Sequence, residues 1–253
     1  MRRVLLIATT TGYQTRAFGE AAQRLGVELV FATDRCHRLD DPWRDGALPI
    51  RFDEEEKFLD RLREISRDQD FQGVLAVGDR PAVFAALACE VLGLPGHPLA
   101  AARASGNKLE TRRRFANAGL PSPAFKEVVG GSNFDPAITR FTFPCVVKPL
   151  ALSGSRGVIR ANDPETLRVA LERVGRLLSR ADIRGRRHSP DDRILLEAFI
   201  PGCEFAVEGV VEDGKLRVLA VFDKPDALNG PFFEESIYVT PSAVPAAEQR
   251  RIE

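Results

Sequence analysis

The sequence predicts a doubly wound α/β domain on a parallel sheet, followed by an α+β domain, and three observations carry that expectation. Short β-branched apolar runs alternate with helical stripes through residues 1 to 100, the pattern of strands buried on both faces with helices crossing between them. The alternation breaks near residue 107. Beyond it, two runs of period-2 hydrophobicity flank Asp213-Gly214, a hairpin signal that argues for antiparallel pairing.

Element by element, RVLLIAT (3 to 9) reads as the first buried strand. A helical pattern follows through Ala17, Phe18, Ala21, Ala22 and Leu25, closed by Gly26. VELVFAT (27 to 33) is the second strand and ALPIRF (47 to 52) the third. A charged helix from Glu54 to Arg67 shows Phe58, Leu59, Leu62 and Ile65 as its apolar stripe. GVLAVG (73 to 78) is a fourth strand, and PAVFAALACEVLGL (81 to 94) a helix that opens on proline and ends near Gly93. In the second half, NKLETRRRFANAGL (107 to 120) is helical, and PCVVKPLA and GVIRAN read as two strands joined by a tight Ser/Gly turn. DPETLRVALERVGRLL (163 to 178) is a helix with Asp163 at its cap and Pro164 first inside. RILLEAFI (193 to 200) is a strand, the hairpin follows, and PAAEQRRIE opens a last helix.

Composition narrows the function classes. With 253 residues and 44% hydrophobic content, the chain can bury a core in about two domains. Lys plus Arg and Asp plus Glu are both 36, so no net field draws nucleic acid or an anionic membrane. No apolar run approaches the roughly 20 residues that span a bilayer, and VLLIAT is too short for a signal core. The cysteines Cys36, Cys89, Cys145 and Cys203 form no CxxC pair. They fit a reduced, cytoplasmic setting, and the Cys36-His37 neighbours lack the further ligands that zinc needs.

The common fingerprints are missing. There is no GxxxxGK[ST], no GxGxxG after the first strand and no GxSxG. A Rossmann-type redox protein is thereby disfavoured, and three histidines in loop-like contexts argue against a hydrolase triad. Lys148 remains, in CVVKP, inside an otherwise apolar strand. An ammonium there loses hydration and needs an anionic partner or a route to solvent. Behind it, Ser153, Gly154, Ser155, Arg156 and Gly157 let backbone N–H groups approach an anion. Taken alone, the stretch reads first as an edge-strand lysine with an ordinary turn.

Its surroundings change that weight. Lys148 in VVKP, the serine/glycine loop, the two glutamates of LLEAFIPGCE and FDK after the hairpin occur in the order of the ATP-grasp superfamily. From Asn107 to Pro241 the chain resembles carboxylate-amine ligases of that superfamily, in the branch of L-amino-acid ligases and carbamoyl-phosphate-synthase-like proteins. The resemblance implies a Rossmann-like preceding domain over 1–105, a small lid subdomain over 106–192 and an incomplete large subdomain over 193–253. It also implies ATP as the bound nucleotide. Lys108 and Lys148 would be the two phosphate lysines, with 153 to 157 as a lid in which Arg156 meets phosphate or acyl phosphate. Glu197, Ala198, Phe199 and Ile200 would form the adenine hinge, Glu204 would accept from the ribose hydroxyls, and Lys224 would approach the γ-phosphate.

Each position has a structural alternative: Lys108 a solvated helix lysine, Glu197 an outward residue paired with Arg193, Glu204 an offset to local positive charge, Lys224 a turn lysine beside Pro225. The basic run Arg184, Arg186, Arg187 reads as a solvated loop. Arg16 and Arg80 could hold a substrate carboxylate, although an arginine pairing with a nearby acid is the simpler expectation for each. The implied chemistry is attack of a small carboxylate on ATP to give an acyl phosphate, then attack by an amine or ammonia, with no enzyme nucleophile. The implied Mg²⁺ ligands lie beyond Glu253, so the expectation is an N-terminal fragment with no metal ligand of its own and little turnover. A non-catalytic ATP-binding regulatory module is the alternative, and a homodimer is compatible with either.

Overall fold

A computed structural model describes residues 2–9, 14–34, 47–129, 140–184 and 193–252. They form two compact units, one reaching to Arg114 and the other beginning at Phe115.

In the first unit, β1 (Arg2–Ala8), β2 (Val27–Thr33), β3 (Leu48–Pro49) and β4 (Gly73–Val77) build a parallel sheet in the order β3-β2-β1-β4. Leu5, Leu6, Ile7 and Ala8 on the central β1 are all fully buried. Because successive strand side chains point to opposite faces, four buried in a row means that both faces are covered. The covering helices are α1 (Thr15–Leu25), α2 (Glu55–Ile65), α3 (Asp79–Leu92) and α4 (Leu99–Ser105). α1 ends at Gly26, whose φ of 61° is the left-handed closure that glycine adopts without strain. Phe84 of α3 meets Phe52 edge-on at 5.0 Å and Phe58 of α2 at 4.9 Å, over a core that includes Leu5, Ile7 and Leu62.

Three details differ from the pattern reading. ALPIRF shrinks to the two residues of β3, since Pro49 brings no N–H to a ladder. α3 begins at Asp79, with Pro81 inside the first turn, where its missing N–H has no intrahelical partner to lose. α4 was not expected, because an alanine-rich LAAARAS buries only Ala102 and Ala104 and shows little apolar periodicity.

α5 (Lys108–Asn117) follows, shorter than the expected 107 to 120 and capped by the Asn107 side chain, which accepts from the N–H groups of Leu109 and Glu110 at 3.0 and 3.3 Å. In the second unit, β5 (Phe125–Val129), β6 (Cys145–Pro149), β7 (Ile159–Ala161) and β8 (Arg193–Ala198) form an antiparallel sheet in the order β5-β8-β6-β7. One face packs on α6 (Pro164–Ser179), burying Cys145, Val147, Ile194 and Leu196 against Leu167, Leu171, Val174 and Leu178. A capping box starts α6: Asp163 accepts from the Thr166 N–H at 2.8 Å and Thr166 Oγ1 accepts from the Asp163 N–H at 3.2 Å. After the short α7 (Ala181–Arg184), β8 and then the hairpin of β9 (Phe205–Glu212) and β10 (Lys215–Asp223), α8 (Ala246–Ile252) completes the described residues. Asp213 and Gly214 turn the hairpin with φ of 50° and 76°, the two positive values that a type I′ turn needs.

One expectation needs correction here. The tight Ser/Gly turn is the longer loop 150–158 between β6 and β7. β8 lies between β5 and β6 in this sheet, so its residues 193–198 share hydrogen bonds with strands on the other side of the expected boundary at 192/193.

Candidate functional site

β6 and β8 put Cys145, Val147, Ile194 and Leu196 on the α6 face, so their intervening residues share the other face. The register sets Glu197, Val146 and Arg160 side by side across β8, β6 and β7, with Lys148 two residues along β6. β6 is an interior strand, so Lys148 is not at an edge. Its Nζ donates to Glu197 Oε2 at 2.5 Å, and Glu197 is only 3% exposed. Lys148 thus has the anionic partner that its apolar surroundings require. Glu197 is not the outward mate of Arg193, because Arg193 donates instead to Glu127 at 2.9 Å.

Past Glu197 the strand runs out, and its main-chain groups divide. The N–H of Ala198 goes to Ala124 O at 2.8 Å and that of Phe199 to Pro144 O at 3.0 Å. Neither remains as a donor for a ligand, so Ala198 can contribute only through its carbonyl. Ile200, exposed at the end of this run, carries the next N–H. Arg160 lays its guanidinium over the Phe199 ring at 4.2 Å and donates to Asn229 O at 2.7 Å. Sequence reasoning missed Arg160, although the alternation of Ile159 and Ala161 inward already placed it on the Lys148 face.

The loop from Ser153 to Gly157 turns through three positive φ values, 63° at Gly154, 52° at Ser155 and 76° at Gly157. Two neighbouring left-handed residues and a third at Gly157 turn the backbone sharply, and glycines let its N–H groups be approached closely. Arg156 is exposed, with Nε donating to Ser153 O at 3.3 Å.

Lys224 follows β10 with its side chain 9% exposed, donating to Glu204 at 2.5 Å and to Glu235 at 2.7 Å. It is not a solvated turn lysine. Burial alone would lower its pKa, but the two carboxylates outweigh burial and raise it, so the ammonium is permanent. Glu235 is held well below the usual carboxylate range by Lys224 and then by the Tyr238 hydroxyl, which donates to it. Neither Glu235 nor Tyr238 belonged to the expected site; the acidic pair in PFFEES was the signal for the former.

Residues 141–253 match the ATP-grasp domain family and residues 19–96 the ATP-grasp N-terminal domain family. The chain belongs to the ATP-grasp superfamily. An L-amino acid ligase from Bacillus licheniformis superposes with a TM-score of 0.80 at 28% identity, over 100% of this chain and 59% of that one. The D-alanine--D-alanine ligase of Aromatoleum aromaticum is 27% identical over 206 residues, covering 80% of this chain and 62% of its own length. The alanine--anticapsin ligase of Bacillus subtilis is 28% identical over 180 residues, 66% of this chain and 37% of its own length. The ATP-grasp chain therefore spans less than two thirds of each of these relatives.

Two ammonium groups held by carboxylates and a loop of positive-φ residues are donors of the kind a nucleoside triphosphate would need. Magnesium is different. Among the described residues no three His, Cys, Asp or Glu side chains converge, and none is assigned to it. Lys108 opens α5 in the first unit, whereas the other expected site residues lie in the second. Arg16 pairs with Glu20 at 2.9 Å along its own helix, and Arg80 lies over the Phe52 ring at 5.1 Å. Cys36, His37, Arg186 and Arg187 lie outside the described residues. Cys89, Cys145 and Cys203 are free thiols, and no described helix is long and apolar enough to cross a membrane.

Proposed function

We propose that this chain binds ATP as part of an ATP-dependent ligase that joins a small carboxylate to an amine or ammonia through an acyl phosphate. The observation that carries the reading is the Lys148–Glu197 ion pair, a lysine held by a buried carboxylate on the sheet face opposite α6. Similarity to an L-amino acid ligase over the whole chain supports it. In this reading Lys148 meets a phosphate, with Ser153, Gly154, Ser155 and Gly157 closing over it, and Lys108 keeps the phosphate role that the resemblance implies. Glu197 and the Ala198 carbonyl would accept from the adenine amino group, the Ile200 N–H would donate to the ring, and Phe199 would back it. Glu204 takes the ribose and Lys224 the γ-phosphate, with Arg156 reaching the transferred group.

None of these residues needs to act as a nucleophile, since positioning and fixed positive charge lower the barrier to phosphoryl transfer. Magnesium, when bound, would neutralise phosphate charge. The same reading puts the protein in the cytoplasm, gives nucleic acid and membranes no role, and admits a homodimer.

The test supplies the complete gene product with ATP, Mg²⁺ and pairs of amino acids and follows phosphate release. Release that depends on both an acid and an amine, and is lost in Lys148→Ala, is the expected result. ATP binding without any acceptor-dependent turnover would favour a regulatory module, and absence of ATP binding would remove the reading.

A further inference from the structure

Lys224 sits between two carboxylates that are held very differently. Glu235 lies on the segment that returns to the end of β10 through paired backbone hydrogen bonds between Asp223 and Val239, at 2.9 and 3.0 Å. The Asp223 carboxylate fastens the same segment by accepting from the Ser242 hydroxyl and, at 2.8 Å, from the Ala243 N–H. Glu235 is further pinned by the Tyr238 hydroxyl, and the Tyr238 ring lies 5.3 Å from Lys224 Nζ and edge-on to Phe222. Glu204, in contrast, lies between β8 and β9 with its side chain 52% exposed, and among the described residues its hydrogen-bond partner is Lys224.

We propose that Glu235, held by Tyr238, is the positioning residue that keeps Lys224 in place, and that Glu204 is exchanged between Lys224 and the ribose hydroxyls of a bound nucleotide. The inference rests on the reading of Glu204 as the ribose acceptor. Its physical content is competition. Without nucleotide, the Lys224 ammonium occupies a carboxylate oxygen that a ribose hydroxyl would use. When the nucleoside engages Glu204, Lys224 loses one of its two anionic partners while Glu235 still holds it, and its charge becomes available to a phosphate. Nucleoside recognition is thereby coupled to readiness at the phosphate end.

The coupling has a signature of opposite signs, read by calorimetry on the chain with adenosine and with ATP. In Lys224→Ala, adenosine should bind about threefold tighter, because Glu204 no longer has a competing partner, whereas ATP should bind several-fold more weakly. Lys224→Met, which keeps the aliphatic stem, serves if the alanine variant fails to fold. In Glu235→Ala, Lys224 leans on Glu204 alone and adenosine should weaken about threefold. That loss should vanish in the Lys224→Ala/Glu235→Ala double variant, since Glu235 acts through Lys224. Adenosine binding that is unchanged or weaker without Lys224, or a Glu235→Ala loss that persists in its absence, overturns the inference and leaves the site standing. A wild-type chain that binds neither adenosine nor ATP removes the site reading, and the inference with it.

Discussion

Lys148 and Glu197 are 49 residues apart in the chain and meet at 2.5 Å across neighbouring strands, on the sheet face opposite α6. The pair is asymmetric, with 23% of the lysine side chain exposed and 3% of the glutamate. Removing the lysine takes the cation away from a carboxylate that is 3% exposed, whereas replacing both residues removes that charge as well.

The first prediction follows from that asymmetry. Lys148→Ala should destabilise the chain by about 3–5 kcal/mol in urea unfolding, and the Lys148→Met/Glu197→Leu double variant should recover most of the loss. The recovered variant should still fail to bind ATP in calorimetry, which separates the pair's structural role from its proposed ligand role.

Much of this architecture is legible in the residues, and the boundary of legibility is physical. β1, β2, β4, α6 and the Asp213-Gly214 turn follow from local chemistry: apolar β-branched runs, a cap that satisfies first-turn N–H groups, two positive φ values. The need of Lys148 for an anion was equally plain. Its partner was not, because periodicity identifies strands without saying which strand lies beside which, and only the order β5-β8-β6-β7 brings Glu197 to it. Glu235 and Tyr238 were hidden for the same reason, since they reach Lys224 through a chain reversal rather than a repeat. α4 escaped because alanines bury too little to leave a stripe.

Alkaline pH gives a second prediction. Cys145 is fully buried, and burial pushes its thiol up from an ordinary value near 9 to about 11. A group whose folded pKa is raised holds its proton longer in the folded state, so its contribution is intact below about pH 9 and lost as pH rises toward 11. The wild-type advantage over Cys145→Ala should therefore shrink by about 2–3 kcal/mol between pH 8.5 and 11, as seen in urea unfolding across that range. A constant difference would mean that the thiol is not shielded.

The loop after β6 separates two glycines that look alike in the sequence. A Cβ at Gly154 would meet nothing within 4 Å, whereas at Gly157 it would lie 2.7 Å from Leu177 Cδ2 and 2.9 Å from Pro149 Cγ. Gly154→Ala should cost only the left-handed backbone penalty of about 1–2 kcal/mol. Gly157→Ala adds overpacking of about 1–3 kcal/mol and should show the larger drop in melting temperature.

Arg160 makes the fourth prediction. Its guanidinium both covers Phe199 and holds Asn229 O, and its backbone N–H donates to Pro231 O at 2.9 Å. Arg160→Lys keeps the charge but not the planar stacking surface. Hydrogen exchange of the Asn229, Gly230, Phe232 and Phe233 amides should therefore accelerate in Arg160→Lys nearly as much as in Arg160→Ala. Exchange at the wild-type rate in the lysine variant would show that charge alone suffices.

β8 carries two alphabets on one strand, Ile194 and Leu196 written toward α6 and Leu195 and Glu197 toward the opposite face. A shift of one residue against β6 would turn Glu197 into the helix-packed core and lift Leu196 out of it. In a strand that is apolar on both faces such a slip only exchanges one apolar side chain for another. Here the misaligned sheet would have to bury a carboxylate among apolar side chains, so the acid that meets Lys148 also makes that register costly.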